Sequence, residues 1–159
     1  MLVTPLILGL ILAFAIGVVA GLRAFLALAA VAWAAVWGLL PLQGTWLMLV
    51  GWRFTPWILT FLAVGELVTD QLPSTPSRKV PVQFGARLVT GGLSGATIGY
   101  GIGAPLPGLV LGIVGAVIGT YGGAALRARL AAAFGQDRPA ALIEDAVAIL
   151  GAVLVVGAL

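Results

Sequence analysis

The chain has 159 residues, 62% apolar and 8% charged, with a formal net charge of +3 and a mean hydropathy of +1.19. Soluble domains carry about a quarter charged residues, and a domain this small buries only roughly 70% of its unfolded surface. The composition therefore excludes a soluble globular enzyme, a disordered chain and a disulfide scaffold, and its expected solvent is a lipid bilayer.

A spanning helix needs about 20 apolar residues. Cutting the chain at prolines, charges and glycine pairs predicts six spans, over 4–21, 23–40, 56–72, 83–103, 106–127 and 139–158, in one all-α membrane domain. The first twenty residues lack the basic start of a secretory signal, so they are read as a retained first span. Only Gly21 and Arg23 mark the turn into the second. The connector 41–55, PLQGTWLMLVGWRFT, is too short to span and is expected to lie in the interface or re-enter the membrane. PSTPSRKVPV, over 73–82, is the one strongly polar loop, and 101–107 is short and uncharged. All nine prolines fall at or between the ends of these spans, where a missing N–H is tolerated.

Under this model Arg23, Arg78, Lys79, Arg87, Arg127, Arg129 and Arg138 share one side, against Arg53 alone on the other. The positive-inside bias makes the crowded side cytoplasmic and puts both termini outside. Trp33, Trp37, Trp46, Trp52 and Trp57 all fall toward the outer interface, where indoles prefer to lie. The halves 1–72 and 83–159 then run in opposite senses, the arrangement of inverted-repeat transporters. Two unrelated sets of hairpins would give the same topology.

Glycines recur every four residues at Gly91, Gly95, Gly99 and Gly103, at Gly108 and Gly112, at Gly115, Gly119 and Gly123, and at Gly17 and Gly21. That spacing gives a helix a smooth face on which backbones approach closely. Close packing of spans four and five, or dimerisation through these faces, is expected; the functional alternative is that the smooth face lines a pore or permits sliding. Thr90, Ser94 and Thr97 either hydrogen-bond a neighbouring helix or line a water path.

Of the five acids, Asp137 is assigned to a loop and expected to be solvated. Glu66 and Asp70 share a face near the cytoplasmic end of span three, and Glu144 and Asp145 stand on the first turns of span six. Glu66 and Glu144 lie at similar depth, with Arg23 and Arg87 in the same layer. An ionised group at the centre of a spanning helix costs about 2.5–3.5 kcal/mol, so these groups must meet one another or water. The layer is read either as an ion-pair network joining Arg23 and Arg87 to Glu66 and Glu144, or as a hydrated vestibule binding an ion, a proton or a head group. Candidate binding residues are Arg23, Glu66, Asp70, Arg78, Arg87, Glu144 and Asp145. Neighbouring arginines compete with a divalent cation for the carboxylates, so no metal is assigned. No cofactor motif appears. With no histidine in the chain, nothing activates Ser74, Ser77 or Ser94 apart from Lys79 near Ser77, so no enzyme activity is expected. The basic balance is read as orientation in the membrane, not as nucleic-acid binding.

The segments ELVTDQLPSTPSRKVPVQFGARLVTGGLSGA, GTYGGAALRARL and ALIEDAVAIL resemble a family of small bacterial integral membrane proteins, catalogued as domain of unknown function 4126. The resemblance covers roughly residues 15–155. Its motif positions here are Glu66, Asp70, Pro73, Pro76, Arg78, Arg87, Arg127, Glu144 and Asp145, and this chain has Gln71 where members often carry lysine. The resemblance implies residence in a bacterial inner membrane and no particular activity. The functional expectation is a small channel or carrier with a polar site open to the cytoplasm. The alternative is a non-transporting membrane protein that binds lipid head groups or acts as a partner subunit.

Overall fold

A computed structural model describes residues 3–71 and 79–159. Among these residues the chain is all-helical: α1 (Val3–Leu22), α2 (Ala24–Val36), α3 (Thr55–Thr69), α4 (Pro81–Gly101), α5 (Pro105–Phe134) and α6 (Asp137–Gly157). Proline opens α4 and α5 and stands second in α3, where the ring pre-sets the helical φ and no N–H is lost from the ladder. Pro73, Pro76 and Arg78 lie outside the described residues.

Three helix boundaries differ from the sequence expectation, each for a local reason. The second helix stops at Val36, not at 40, because Gly38 takes a left-handed conformation (φ +83°). Gly38 N–H then donates to Ala35 O (3.1 Å) and Leu39 N–H to Ala34 O (3.0 Å), the paired bonds of a Schellman cap. Gly103 (φ +71°) ends α4 in the same way, with Gly103 N–H bonded to Tyr100 O (3.2 Å) and Ala104 N–H to Gly99 O (2.8 Å). It is therefore a cap and not a fourth rung of the glycine ladder. The fifth helix continues past 127 through an alanine- and leucine-rich stretch until left-handed Gly135 (φ +67°) stops it.

The helices alternate in direction. Pro5 and Leu8 at the start of α1 share a cavity with Leu40, Ile102 at the end of α4, and Leu159 after α6. Apart from Arg53 in the connector, the described charged side chains gather at the opposite ends. The connector 37–54 is a run of tight turns, with Leu40, Leu42, Leu47 and Val50 buried in the core and Trp46, Met48, Leu49 and Trp52 exposed. The tryptophans sit at this end: Trp33 packs edge-on to Trp57 (5.0 Å between ring centres), Trp46 approaches Tyr100 (6.5 Å), and Trp33 Nε1–H donates to Thr60 Oγ1 (3.0 Å).

The centre is a three-helix seam in which α5 lies between α1 and α4. Gly91, Gly95 and Gly99 of α4 face Gly112, Gly108 and the start of α5, whereas Gly115 and Gly119 face Phe14, Val18 and Gly21 of α1. A Cβ at Gly95 would stand 2.8 Å from Gly112 Cα, and one at Gly21 would stand 2.5 Å from Ala116 O. Both are far inside van der Waals contact and meet backbone that cannot rotate away. The two glycine rows of α5 thus serve two different neighbours within one chain. By contrast α3 packs mainly on α2 and leaves Phe61 79% exposed.

Large apolar side chains cover the outside, including Ile7, Ile11, Val110, Ile118 and Leu150, while Arg23, Arg87, Ser94, Thr97 and Thr120 are buried. Polar groups inside and apolar groups outside reverse the order of a water-soluble fold. Among the described residues three helices are long and apolar enough to cross a membrane: α1 from Pro5, α5 and α6. The other apolar helices are shorter, with 13 residues in α2 and 15 in α3. In α4 the length is sufficient at 21 residues, but glycines, hydroxyls and Arg87 dilute its apolar character.

Candidate functional site

The break between α1 and α2 organises the charged end. Arg23 is the single residue between the two helices, extended at φ −141° and ψ 105°, with its N–H still bonded to Val19 O (2.7 Å). Such a corner leaves the last carbonyls of α1 and the first amides of α2 without helical partners. Both sets are satisfied by side chains from other helices. Arg87 Nη1 donates to Gly21 O (3.0 Å) and Leu22 O (2.7 Å), placing a cation on the negative pole of α1. Glu66 accepts from Ala24 N–H through Oε1 (2.9 Å) and from Phe25 N–H through Oε2 (3.0 Å), placing an anion on the positive pole of α2. The two caps meet, with Arg87 Nη2 3.5 Å from Glu66 Oε1.

Arg23 itself turns away from this pair and is fully buried. Its Nε donates to Asp145 Oδ1 (2.7 Å), Nη2 pairs with the same carboxylate, and Nη1 pairs with Asp70. The other oxygen of Asp145 accepts from Gln71 Nε2 (3.0 Å), so the neutral glutamine supplies a donor without a charge. Arg127 continues the chain of contacts. Its Nη1 donates to Asp70 Oδ2 (2.8 Å) and lies 3.5 Å from Glu144 Oε2. Its Nε and Nη2 fork onto Asp137 at 3.0 and 2.6 Å, the planar bidentate geometry that guanidinium allows.

Arg23, Glu66, Asp70, Arg87, Glu144 and Asp145 are therefore brought into one layer, Glu66 and Arg87 adjoining the remainder through the Arg23–Ala24 backbone. The pairing differs from the expected one. Arg23 meets Asp70 and Asp145 rather than Glu66 or Glu144, because Glu66 is drawn to the bare amides of α2. Asp137 is the first residue of α6 and is held by Arg127, so its assignment to a loop is corrected, while its carboxylate is solvent-exposed as expected. Arg127 and Gln71 were not singled out for this layer by their sequence spacing. The signal for Arg127 was present in the helix-forming run ALRARLAAAF, which has no breaker before Gly135 and so places Arg127 on a helix face one turn below Gly123.

Of the buried hydroxyls on α4 and α5, Thr97 Oγ1 donates to Leu93 O (2.7 Å) and Thr120 Oγ1 to Ala116 O (2.7 Å) within their own helices. Thr120 Oγ1 also lies 3.4 Å from Gly21 O of α1, and Ser94 Oγ is buried with no hydrogen-bond partner among the described residues. Among the described residues no group of three or more acids is placed to hold a metal ion. A crevice of about 40 Å³ opens beside Arg127 and Glu144, otherwise lined by Leu22, Leu126 and other apolar residues. At the opposite end the cavity between α1, α4 and the connector, about 240 Å³, is lined by aliphatic side chains and glycine.

Glu66→Ala is expected to cost about 1–2 kcal/mol, the range for loss of a helix N-cap. Glu66→Gln should recover less than half of that loss, because its amide NH₂ would face an N–H donor. Thermal unfolding of the three proteins in one detergent checks the order.

No protein-family model matches the chain, and no curated protein or solved structure is detectably similar to it.

Proposed function

We propose that this chain is an integral membrane protein of six spanning helices, resident in a bacterial cytoplasmic membrane with both termini outside. In this reading it is non-transporting, and its charged layer fixes the helices at the cytoplasmic boundary where they meet lipid head groups or a partner subunit. One observation carries the choice over a channel or carrier. The acids of α3 and α6 are engaged by arginines and helix ends of the same chain, and next to them the α1–α4–α5 seam is closed backbone against backbone. An aliphatic outer cavity and the bonding of the Thr97 hydroxyl to its own helix support the same reading.

The apolar exterior, the tryptophans at one end and the charges at the other support the membrane placement. The connector 37–54 completes the crossing of the short α2 and α3 with apolar side chains. Opposed halves 1–72 and 83–159 belong to this reading, although α2 has 13 residues and its counterpart α5 has 30. So does the resemblance to domain of unknown function 4126: its motif positions Glu66, Asp70, Arg87, Arg127, Glu144 and Asp145 all enter the charged layer.

Reconstitution into liposomes tests the choice. Proton, potassium and magnesium fluxes should equal those of protein-free vesicles. A saturable flux that disappears in Glu66→Gln while the protein stays folded would establish the channel or carrier instead. A reporter fused after Leu159 should be active only when it is one that works outside the cytoplasm, and cytoplasmic activity would reverse the topology.

A further inference from the structure

We propose that the tip joining α5 to α6 docks anionic phospholipid head groups through Arg129 and Arg138, an inference that rests on the membrane placement above. All five acids of the chain are engaged by partners of the same chain: Glu66 by α2 and Arg87, Asp70 by Arg23 and Arg127, Asp137 and Glu144 by Arg127, and Asp145 by Arg23 and Gln71. Arg129 and Arg138 are exposed and pair with none of these acids. Arg138 also stands in the first turn of α6, at the positive pole, where a cation is disfavoured. No ion pair among the described residues supplies its counter-charge.

Geometry supplies the source. At about 1.5 Å per residue, the 30 residues of α5 extend for about 45 Å, whereas the hydrocarbon core is about 30 Å thick. With Pro105 at the outer boundary, the last ten or so residues reach into the head-group layer on the charged side. Leu126, Phe134 and Leu142 are exposed on this same hairpin. They can seat in the acyl boundary while the guanidinium groups reach the phosphates, to which arginine offers a planar pair of donors. Zwitterionic lipids carry the phosphate without net charge, so the surplus positive charge selects anionic lipid.

The full chain is reconstituted in nanodiscs of equimolar phosphatidylglycerol and phosphatidylcholine, and the lipids it retains are counted by native mass spectrometry. Phosphatidylglycerol should be enriched by about fivefold for each arginine, the equivalent of about 1 kcal/mol per basic residue at an anionic surface. The enrichment should fall in Arg129→Gln/Arg138→Gln and persist in both Arg129→Lys/Arg138→Lys and Arg53→Gln, the last lying at the opposite end. Equal retention of the two lipids by the native chain, or undiminished enrichment in the double glutamine variant, would overturn the proposal and leave the membrane placement intact. A chain that enters no bilayer would overturn both.

Discussion

Gly112→Leu is expected to prevent folding altogether. Gly112 sits where the three central helices converge: a Cβ built there collides with the Gly91 carbonyl and stands 3.0 Å from Gly95 Cα, while its own carbonyl is pressed against Gly17. Ordinary overpacking costs about 1–3 kcal/mol because side chains shift into new rotamers. Here the obstacles on both sides are backbone, so α4 and α5 must separate along their length. In a bilayer, where helices gain no hydrophobic drive from meeting one another, that separation removes the packing that holds them together. The loss should exceed about 3 kcal/mol. Ile118→Ala, on the exposed face of the same helix, should change stability by no more than about 0.5 kcal/mol. Thermal unfolding in detergent separates the two, and similar melting temperatures would show that the glycine rows do not mediate packing.

Arg23→Met should produce the second large effect. It leaves Asp70 and Asp145 facing each other with their shared cation gone, and breaking a buried pair on one side costs about 3–5 kcal/mol. Asp145→Asn in the same chain should restore part of the loss, because the asparagine oxygen still accepts from Gln71 and no longer carries a charge. The double-mutant cycle should give a coupling of about 0.5–3 kcal/mol. Strict additivity of the two losses would mean that Asp145 does not depend on Arg23. Arg23→Lys should rescue poorly, since one ammonium cannot reproduce the three guanidinium contacts that reach two carboxylates.

The sequence made helix number and direction legible because prolines and charges punctuate an otherwise apolar chain. It also placed Glu66, Asp70, Glu144 and Asp145 in one layer with Arg23 and Arg87, since the depth of a residue in a helix follows from its distance to the nearest end. The partners within that layer were not legible. Depth is a single coordinate, and pairing also needs the rotation of each helix about its axis, which tertiary packing sets. Glu66 illustrates the difficulty: its strongest partners are two backbone amides, groups that carry no sequence signal and become available only because α2 starts where Arg23 interrupts the chain. The glycine ladder of α4 was legible at Gly91, Gly95 and Gly99. Gly103 has the same spacing and a different role, since regular spacing reports a face only while the helix continues. The true end of α2 at Gly38 was hidden for the converse reason, as one glycine among apolar residues looks the same inside a helix as at its cap.

The corner at Arg23 also bears on how the chain is made. Synthesis proceeds from the N-terminus, so α1 and α2 leave the ribosome well before the groups that satisfy their facing ends. The α2 amides wait for Glu66, some forty residues later, and the α1 carbonyls for Arg87, some sixty-five residues later. Arg23 finds Asp145 only when α6 has been translated. Until α3 brings Glu66 and Asp70, the first two helices form a nascent hairpin with bare polar ends and an uncompensated cation at its bend. Helix insertion can therefore begin in chain order, but the first corner to be synthesised is among the last to be completed.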